Sequence, residues 1–409
     1  MSQLWKIAYR DLLRSRRRSL LTLLAMVIGV TLLIFMSALY KGVFDGSLKM
    51  AIQLQTSHLQ VRAESYDADQ VSLLWQDLLS DPAGLTRQIE AIPGVQAAAP
   101  VLWANGLVLS GEESVGVTVN GVEVQSPLLD PIRQAVVAGT MPAPDDRSGV
   151  LIGARLAELL DLHVGDTVVL VVSTSNQTTD QAPFTIRGLY DTGVGQYDEV
   201  NVYLPLAKAQ AFTQVGERAS AIRVLLDDRE NAEAFAAAFR APGLTVLTWR
   251  DLNRLILDSV DASLVFTNLL NLIVLGMVAV VIANTLLMSV FERTREMGIL
   301  AALGMKAHQI MGMFLLEAAM LGAAGVAGGL LVGGSIVYYY SKVGLEFPQA
   351  IIESKASNMI TYGRLLYTSF APEQAFMLTL LALVIVLVVA VYPAWFAARL
   401  EPVQALHGK

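Results

Sequence analysis

The stretch ASLVFTNLLNLIVLGMVAVVIANTLLMSVF, residues Ala262–Phe291, has no charged side chain, and the charged segment ERTREMGILAALG, residues Glu292–Gly304, follows it at once. About 20 apolar residues cross a hydrocarbon core about 30 Å thick, so the stretch is predicted to span a membrane. Three further uncharged stretches reach that length: Ser19–Tyr40, Ala318–Ser341 and Gln374–Ala398. The sequence therefore predicts an α-helical membrane protein with four transmembrane helices in a 1 + 3 arrangement.

The composition agrees with an integral membrane protein. Mean hydropathy is +0.52, with 54% apolar and 16% charged residues among 409, which is too apolar for an ordinary soluble chain. Cysteine is absent, so disulfide frameworks and metal–thiolate chemistry are excluded. The net charge of −7 is concentrated in residues 41–261, which hold 15 basic and 28 acidic side chains. An acidic region of this kind repels nucleic acid, and no nucleic-acid partner is expected.

Basic residues near the spans predict the orientation, because short cytoplasmic segments are enriched in Lys and Arg. Residues 1–18 carry six basic side chains against Asp11, and the loop 292–309 carries Arg293, Arg295 and Lys306. Both termini and this loop are therefore expected in the cytoplasm. The predicted order is a cytoplasmic amphipathic helix (1–18), a span (19–40), an extracytoplasmic domain (41–261), a span (262–291), a cytoplasmic loop (292–309), a span (310–341), an extracytoplasmic loop (342–373), a span (374–398) and a cytoplasmic tail (399–409).

The domain between the first two spans is predicted to be mixed α/β. Asn120–Gly121, between alternating valines, predicts a hairpin turn. The interleaving of strands and helices favours two small α/β lobes and not a barrel. Predicted strands are Gln53–Arg62, Thr167–Val172, Phe184–Leu189, Val200–Leu204, Ala221–Leu226 and Leu244–Thr248, and predicted helices are Ala154–Leu160, Pro205–Gln214 and Arg229–Arg240.

The helical pattern that includes the second span begins well before it. A continuous helix from about Arg250 to Phe291 would be about 60 Å long at 1.5 Å per residue and would form a stalk outside the bilayer. The alternative is a break near Asp258–Asp261.

The third span contains a row of glycines and one acidic residue. Gly325, Gly329 and Gly333 share one face at a spacing of four, which predicts close packing against another helix.

Glu317 lies one to two turns into the span from its cytoplasmic end. A carboxylate within a membrane is a functional candidate, although at this depth it could also reach the interface or cap a neighbouring helix.

We find no catalytic constellation in the sequence. His58, His163, His308 and His407 are far apart, so none is expected to share a metal with a second ligand. Asp67 and Asp69 alone do not make a calcium loop. A phosphate-binding loop ending in Lys-Ser or Lys-Thr is also absent. The chain is therefore expected to carry no cofactor and no catalytic site of its own.

The segment after the second span is predicted to be a short amphipathic helix. Met297, Leu300 and Leu303 can face one way while Arg293, Arg295 and Glu296 face another, and Gly304 is placed to end the helix. Such a helix could dock in a groove of a cytoplasmic partner. The alternative is a plain surface helix that follows the positive-inside rule.

These residues carry a family resemblance. Arg293-x-x-Glu296-x-Gly298-Ile299, followed by Ala302-Leu303-Gly304, resembles the coupling-helix signature of ABC transporter permeases of the MacB/LolC/FtsX group. The segment that begins at Tyr392-Pro393-Ala394 and ends at Ala405-Leu406 is similar to the end of that group's last span. Further similar segments are Ile92–Val95, Val164–Val168 and Ser57–Val61, the last of which favours the lipoprotein-releasing branch.

The resemblance implies a permease subunit that works by mechanotransmission in the inner membrane. Two permeases, either two copies or a copy and a paralogue, would pair and dock on a cytoplasmic ABC ATPase dimer, which binds the ATP and Mg. The implied coupling residues are Glu292, Arg293, Arg295, Glu296, Met297, Gly298, Leu300, Leu303 and Gly304.

The implied cargo is a lipoprotein or another hydrophobic molecule. Two alternatives remain open: an FtsX-like regulator of a cell-wall hydrolase, and MacB-like peptide or drug efflux with periplasmic partners.

Overall fold

The structure is a computed structural model that describes residues 10, 14, 16–68, 70–346 and 365–399; the side chains of residues 260–263 and 365 are not described. Most of the predicted segments 1–18 and 399–409, and residues 347–364 of the predicted loop 342–373, lie outside the described residues. The chain divides into two compact units. The helical unit comprises the chain to Asp45, Val260–Leu345 and the chain from Leu366, and the α/β unit comprises Gly46–Ser259 with Glu346–Leu365.

The elements follow one another in this order along the described chain. The helices are α1 (Arg16–Ala51), α2 (Pro82–Glu90), α3 (Asp130–Gln134), α4 (Ala154–Leu159), α5 (Gly195–Val200), α6 (Leu206–Thr213), α7 (Ala232–Ala238), α8 (Trp249–Leu252), α9 (Arg254–Glu292), α10 (Thr294–Ala302), α11 (Ala307–Val343) and α12 (Pro372–Ala398). The strands are β1 (Leu59–Ala63), β2 (Val95–Ser110), β3 (Glu113–Val122), β4 (Val136–Gly139), β5 (Gly149–Gly153), β6 (Thr167–Ser173), β7 (Thr179–Tyr190), β8 (Asn201–Pro205), β9 (Ala221–Leu226), β10 (Leu244–Thr248), β11 (Leu345–Glu346) and β12 (Leu365–Leu366).

Four of the described helices, α1, α9, α11 and α12, are long and apolar enough to cross a membrane, as predicted. Helix α1 continues well beyond the predicted end at Tyr40. Lys41, Asp45 and Lys49 recur at a spacing of four and are all exposed, so they lie along one solvated face of a helix that is no longer apolar. Hydropathy marks the apolar part of a helix and misses this extension.

Helix α9 passes through Asp258–Asp261 without interruption, as the predicted continuous helix requires, so the alternative with a break there is wrong. The stalk pattern that begins near Arg250 is divided at Asn253 into the short helix α8 and the long helix α9. Helix α9 has 39 residues and is therefore about 58 Å long. The boundary between the two units falls within it.

The glycine face of α11 packs against α1 inside the helical unit. A Cβ atom on Gly325 would lie 2.6 Å from Met26 Cβ, and one on Gly329 would lie 2.5 Å from Val30 Cβ. At Gly333 the nearest atom would be Thr31 Cα, at 3.2 Å. The close packing predicted for these glycines is confirmed, and the backbone that approaches them belongs to the first membrane helix of the same chain.

In the α/β unit, ten described strands form one sheet. Six of them, β2, β3, β8, β5, β7 and β6, pair in a closed circuit, because β6 pairs with both β7 and β2. Alternate residues of each strand, such as Val168, Leu170 and Val172 of β6, contribute to a single apolar core. The prediction that excluded a barrel is therefore wrong. Strand order along the chain does not reveal closure, which here depends on β6 joining two strands that are distant in sequence.

Strand β2 connects this barrel to the rest of the sheet. Its first half, Val95–Val101, pairs with β9, and its second half pairs with β6 on the same edge. Strands β1, β9 and β10, with α2 and α7 packed near them, enclose a second apolar core around Leu59, Ile222 and Trp249. A third apolar cluster, around Val101, Leu151 and Tyr203, lies in the same unit, so the described strands of one continuous sheet carry three cores.

The hairpin turn predicted at Asn120–Gly121 is also wrong, because β3 runs straight through both residues. The Asn120 side chain is buried and donates from Nδ2 to Asn201 Oδ1 at 3.0 Å. A Cβ atom on Gly121 would lie 2.4 Å from Ala209 Cβ of α6. Asparagine and glycine occur here for a buried hydrogen bond and for a close helix contact, and the hairpin turns instead at Gly111–Glu112.

The remaining element predictions differ mainly at their ends. The strands Ala221–Leu226 and Leu244–Thr248 are confirmed, as is the helix, turn and strand from Ala154 to Val172. The predicted strand Gln53–Arg62 is wrong over its first part, because Ile52–Thr56 forms a π-helical turn that prolongs α1 and β1 begins only at Leu59.

Candidate functional site: the segment between the second and third membrane helices

A short helix, α10, lies between α9 and α11. It begins after Arg293, whose backbone departs from helical geometry (φ −110°, ψ 12°). It ends at Gly304, which has φ +95°, a conformation that glycine adopts without strain. The Gly304 and Met305 amides donate to the Ala301 and Leu300 carbonyls, both at 3.0 Å. This is the Schellman pattern of a glycine-terminated helix, so the role predicted for Gly304 as a helix terminator is confirmed.

The apolar residues of α10 do not share one free face. Met297 is 2% exposed and packs with Val290, Phe314 and Ala394 in the helical unit. Leu303 is 80% exposed, and Leu300 is half-buried. Met297 and Leu303 are six residues apart and therefore point about 120° away from each other around the helix axis. The common face predicted for Met297, Leu300 and Leu303 is wrong: Met297 anchors the helix, and Leu303 stays free.

The exposed face of α10 is defined by Arg295, Ile299, Ala302 and Leu303, which are all exposed and recur at helical spacing. Ile299 is 45% exposed and was not among the candidate residues chosen from the sequence. Its position four residues after Arg295 and four before Leu303 is the signal that could have identified it. Gly298, by contrast, is buried.

A chain of charged side chains connects α10 to α11 and to Arg14, which precedes α1. Arg293 Nη1 lies 3.7 Å from Glu317 Oε2, and Arg293 Nε lies 3.2 Å from Glu296 Oε2. Arg14 Nη1 lies 2.7 Å from the other oxygen of Glu296. Burial by itself would raise the pKa of Glu296, but hydrogen bonds from Arg293 and Arg14 outweigh it and hold that pKa below its usual range.

Glu317 is only 2% exposed, so its carboxylate does not reach solvent in the way that one interpretation allowed. It lies about three turns into α11 and pairs with Arg293, whose side chain is 16% exposed. A buried charge needs such a partner. The structure thus joins two residues that the sequence analysis had treated separately.

The start of α1 is fastened to the same region. Arg18 forms an ion pair with Glu292 and donates from Nη2 to Ser289 Oγ at 2.9 Å. One turn later, the hydroxyls of Thr22 and Thr285 lie 3.1 Å apart. From the sequence, the arginine cluster indicated orientation alone. In the structure, Arg14 and Arg18 also hold the segment around α10 in place.

Within the part of the chain that the structure describes, no three His, Asp or Glu side chains come together as a metal site. His58 belongs to the α/β unit, where its Nδ1 accepts the Leu226 amide at 3.1 Å. His163 lies 3.7 Å from Asp166 at the surface, and His308 is exposed in α11. His407 and Asp69 lie outside the described residues.

Comparison with known proteins gives matches over almost the whole chain. A family model described as the MacB-like periplasmic core domain matches residues 19–241, and one described as the FtsX-like permease C-terminal matches residues 268–402. The chain is 25% identical over 419 residues to the lipoprotein-releasing system transmembrane protein LolC of Xylella fastidiosa (strain 9a5c), and the match covers 97% of this chain and 96% of that protein.

Two other relatives are similar at the same level. The lipoprotein-releasing system transmembrane protein LolE of Haemophilus influenzae is 24% identical over 397 residues, covering 94% of this chain and 92% of its own. The macrolide export ATP-binding/permease protein MacB of Hyphomonas neptunium is 25% identical over 423 residues, covering 98% of this chain and 60% of its own.

Proposed function

Because this chain belongs to the family of the MacB-like periplasmic core domain and carries an FtsX-like permease region, we propose that it couples ATP hydrolysis on a separate cytoplasmic ATPase to movement of its α/β unit. The resemblance to ABC transporter permeases seen in the motifs is confirmed. With its four candidate spans, the chain is an inner-membrane permease with an extracytoplasmic domain.

The exposed face of α10 is the observation that carries the ATPase part of the proposal. Ile299 and Leu303 are large apolar side chains exposed at 45% and 80% on a helix that Met297 anchors from the other side. Burying such side chains against a partner releases about 25 cal/mol for each Å² of apolar surface. The neighbouring Arg295 adds a charge for orientation. A helix held by one face and apolar on the other is suited to docking in the groove of an ATPase dimer.

The ion pairs support the transmission of force. Arg293 links α10 to Glu317 of α11, and Arg18 links the start of α1 to Glu292 at the end of α9. A displacement of α10 by a partner would therefore be shared among three membrane helices. In this scheme both termini and α10 lie in the cytoplasm, and two permeases, either copies or paralogues, share one ATPase dimer.

We propose a lipoprotein or another lipid-anchored cargo, extracted from the membrane and released outside it. The relatives named as lipoprotein-releasing proteins match this chain almost from end to end, which supports this choice. The relative named as a macrolide exporter matches over a similar share of this chain and keeps efflux as the second candidate.

The docking test replaces exposed residues only. We expect Ile299→Glu with Leu303→Glu to abolish ATP hydrolysis by a co-expressed ABC ATPase in the purified complex and to leave the membrane fold intact. Leu159→Glu, which is 42% exposed in the α/β unit, is the matched control. Normal ATP turnover and co-purification in the double variant would refute the docking assignment. Changes at Arg293, Glu296 or Gly298 are less selective, because these residues also hold the helical unit together.

The cargo test uses proteoliposomes that contain the chain, its ATPase and a lipoprotein. We expect ATP to move the lipoprotein into the soluble fraction. Efflux of a macrolide without lipoprotein release would favour the second candidate, and ATP turnover stimulated by a cell-wall hydrolase without any release would contradict both.

A further inference from the structure

Helix α1 ends inside the α/β unit in an unusual turn. After Ala51 the chain makes a π-helical turn over Ile52–Thr56, closed by the Ser57 amide, which donates to the Ile52 carbonyl at 2.7 Å. Ser57 has φ 55° and ψ −166°, a region that only glycine occupies readily, so the backbone of this serine is strained. The surroundings of this turn must therefore hold it in place.

The last four carbonyl groups of a helix have no partner within the helix. Here side chains of the α/β unit donate to all of them. The contacts are Arg223 Nη2 to Gln53 O at 3.4 Å, Tyr197 Oη to Leu54 O at 3.2 Å, and Gln60 Nε2 to Gln55 O at 3.3 Å and to Thr56 O at 3.1 Å. Arg223 Nε also donates to Ser57 Oγ at 2.9 Å. The end of α1 is thus held by hydrogen bonds from β1, α5 and β9.

Arg223 is the only charged group among these donors. It is 7% exposed, and in the described parts of the chain no carboxylate forms an ion pair with it. Burial lowers the pKa of Arg223, and the neighbouring Tyr197 and Tyr203 act in the opposite direction. The carboxyl end of a helix carries a partial negative charge. The partial negative charge at the end of α1 therefore stabilises the Arg223 guanidinium in place of a carboxylate. Arg223 belongs to β9, which lies between β1 and β2 in the sheet.

The second long helix meets the same cluster. Asn253, which lies between α8 and α9 and is 4% exposed, donates from Nδ2 to Thr56 Oγ1 at 3.1 Å and to the Trp249 carbonyl at 2.7 Å. Thr56 Oγ1 in turn donates to the Ser57 carbonyl at 3.1 Å. The end of α1 and the beginning of α9 are therefore joined to one buried polar cluster, which also contains Arg223.

We propose that Arg223 is a positioning residue for coupling: it fastens the end of α1 to the central strand β9, so that a displacement of α1 moves the sheet as a rigid body. Without this contact, the strained turn at Ser57 acts as a hinge and absorbs the displacement. The inference rests on the proposed function, because only a chain that transmits force needs a rigid connection of this kind. We call this connection, between the end of α1 and Arg223 of β9, the joint.

The test uses distances between spin labels, which the chain allows because it contains no cysteine of its own. Labels are placed at Lys49→Cys on α1 and Val137→Cys on β4, both exposed positions of the α/β unit. The full chain is assembled with its ATPase in lipid vesicles and measured with and without ATP. With Arg223 present, we expect one narrow distance distribution that ATP does not change. Arg223→Met should broaden it or make it depend on ATP, with ATP hydrolysis retained and cargo release lost.

Two further variants and one control make the result decisive. Arg223→Lys keeps a cation and should narrow the distribution again. Tyr197→Phe removes the hydroxyl that donates to the Leu54 carbonyl and that also contacts the Tyr203 hydroxyl, and it should broaden the distribution as well. If Arg223→Met does not fold, these two variants carry the test. Arg155→Met, at an exposed arginine paired with Glu158, should behave as the unsubstituted chain does.

If the distribution of distances between the labels stays narrow in folded Arg223→Met or Tyr197→Phe, the proposed joint is refuted. A broadened distribution in a chain that no ATPase binds would support the joint and contradict the proposed function instead. The two failures are therefore distinguishable.

Discussion

Glu317 in the helical unit and Asp198 in the α/β unit are equally buried, each 2% exposed, yet they are stabilised in different ways. Glu317 lies beside the Arg293 guanidinium. Asp198 accepts hydrogen bonds from the amide and hydroxyl of Thr192 and faces a second carboxylate, Asp191. A membrane helix has no water to solvate a charge, so its carboxylate needs a cation. In the α/β unit, a buried carboxyl group can instead be stabilised by neutral hydrogen-bond donors and by protonation.

The largest effect is expected at the membrane pair. Arg293→Met would remove the guanidinium that lies beside the buried Glu317 carboxylate, and breaking a buried ion pair in this way costs about 3–5 kcal/mol. We expect the unfolding temperature of the purified chain to fall strongly, and Arg293→Met combined with Glu317→Gln to recover most of the loss. Arg295→Met, at an exposed neighbour, should change it little. A single variant as stable as the original chain would mean that the pair does not hold α10 to α11.

The second effect concerns pH and the α/β unit. Burial is the main cause that raises the pKa of Asp198 from 3.8 to about 7, while hydrogen bonds from Thr192 act against it. Between these two values the folded chain keeps a proton that the unfolded chain has lost, so stability falls as pH rises from 5 to 8, by an amount on the order of 2 kcal/mol. Asp198→Asn should remove this dependence in unfolding measurements across that range.

An exposed carboxylate gives the control for this pH dependence. Asp145 lies on the surface of the same unit, and Asp145→Asn should preserve the slope of stability against pH. If the slope survives Asp198→Asn, the titrating group lies elsewhere, and the contrast between the two buried carboxylates is not one of protonation.

The smallest effect is expected where the membrane network reaches the surface. The Arg14 side chain is 75% exposed and that of Glu296 is 40% exposed, so Arg14→Met should cost less than about 1 kcal/mol and the loss should shrink in high salt. The lowered pKa of Glu296 means that its contribution is present at neutral pH and disappears as pH falls through that lowered pKa. A loss as large as that of Arg293→Met would show that burial does not decide the energy of these pairs.

The sequence predicted some of the site correctly and placed other residues on the wrong side of a helix. Gly304 was assigned as the end of α10 because a glycine after an amphipathic turn is a local signal. Met297 was assigned to the same free face as Leu303 because both are apolar. Hydrophobicity does not say whether an apolar residue is buried by its own chain or left for a partner, and here the helical unit buries Met297. Arg293 and Glu317 are 24 positions apart in the printed sequence, and no local pattern links them.

By itself, the sequence determined the membrane class, the four helices and the family, because uncharged stretches of bilayer length and short motifs are local properties of the chain. Tertiary structure alone decided the closure of the barrel, the burial of the Asn120 side chain and the contacts of Arg223 with the end of α1. Each of these depends on contacts between segments that are distant in the sequence. By its local sequence Asn120-Gly121 is a turn signal, but pairing of β3 with β8 places both residues inside a strand. By its local sequence Arg223 is an ordinary strand residue, and only the fold brings it to the carbonyl groups at the end of α1.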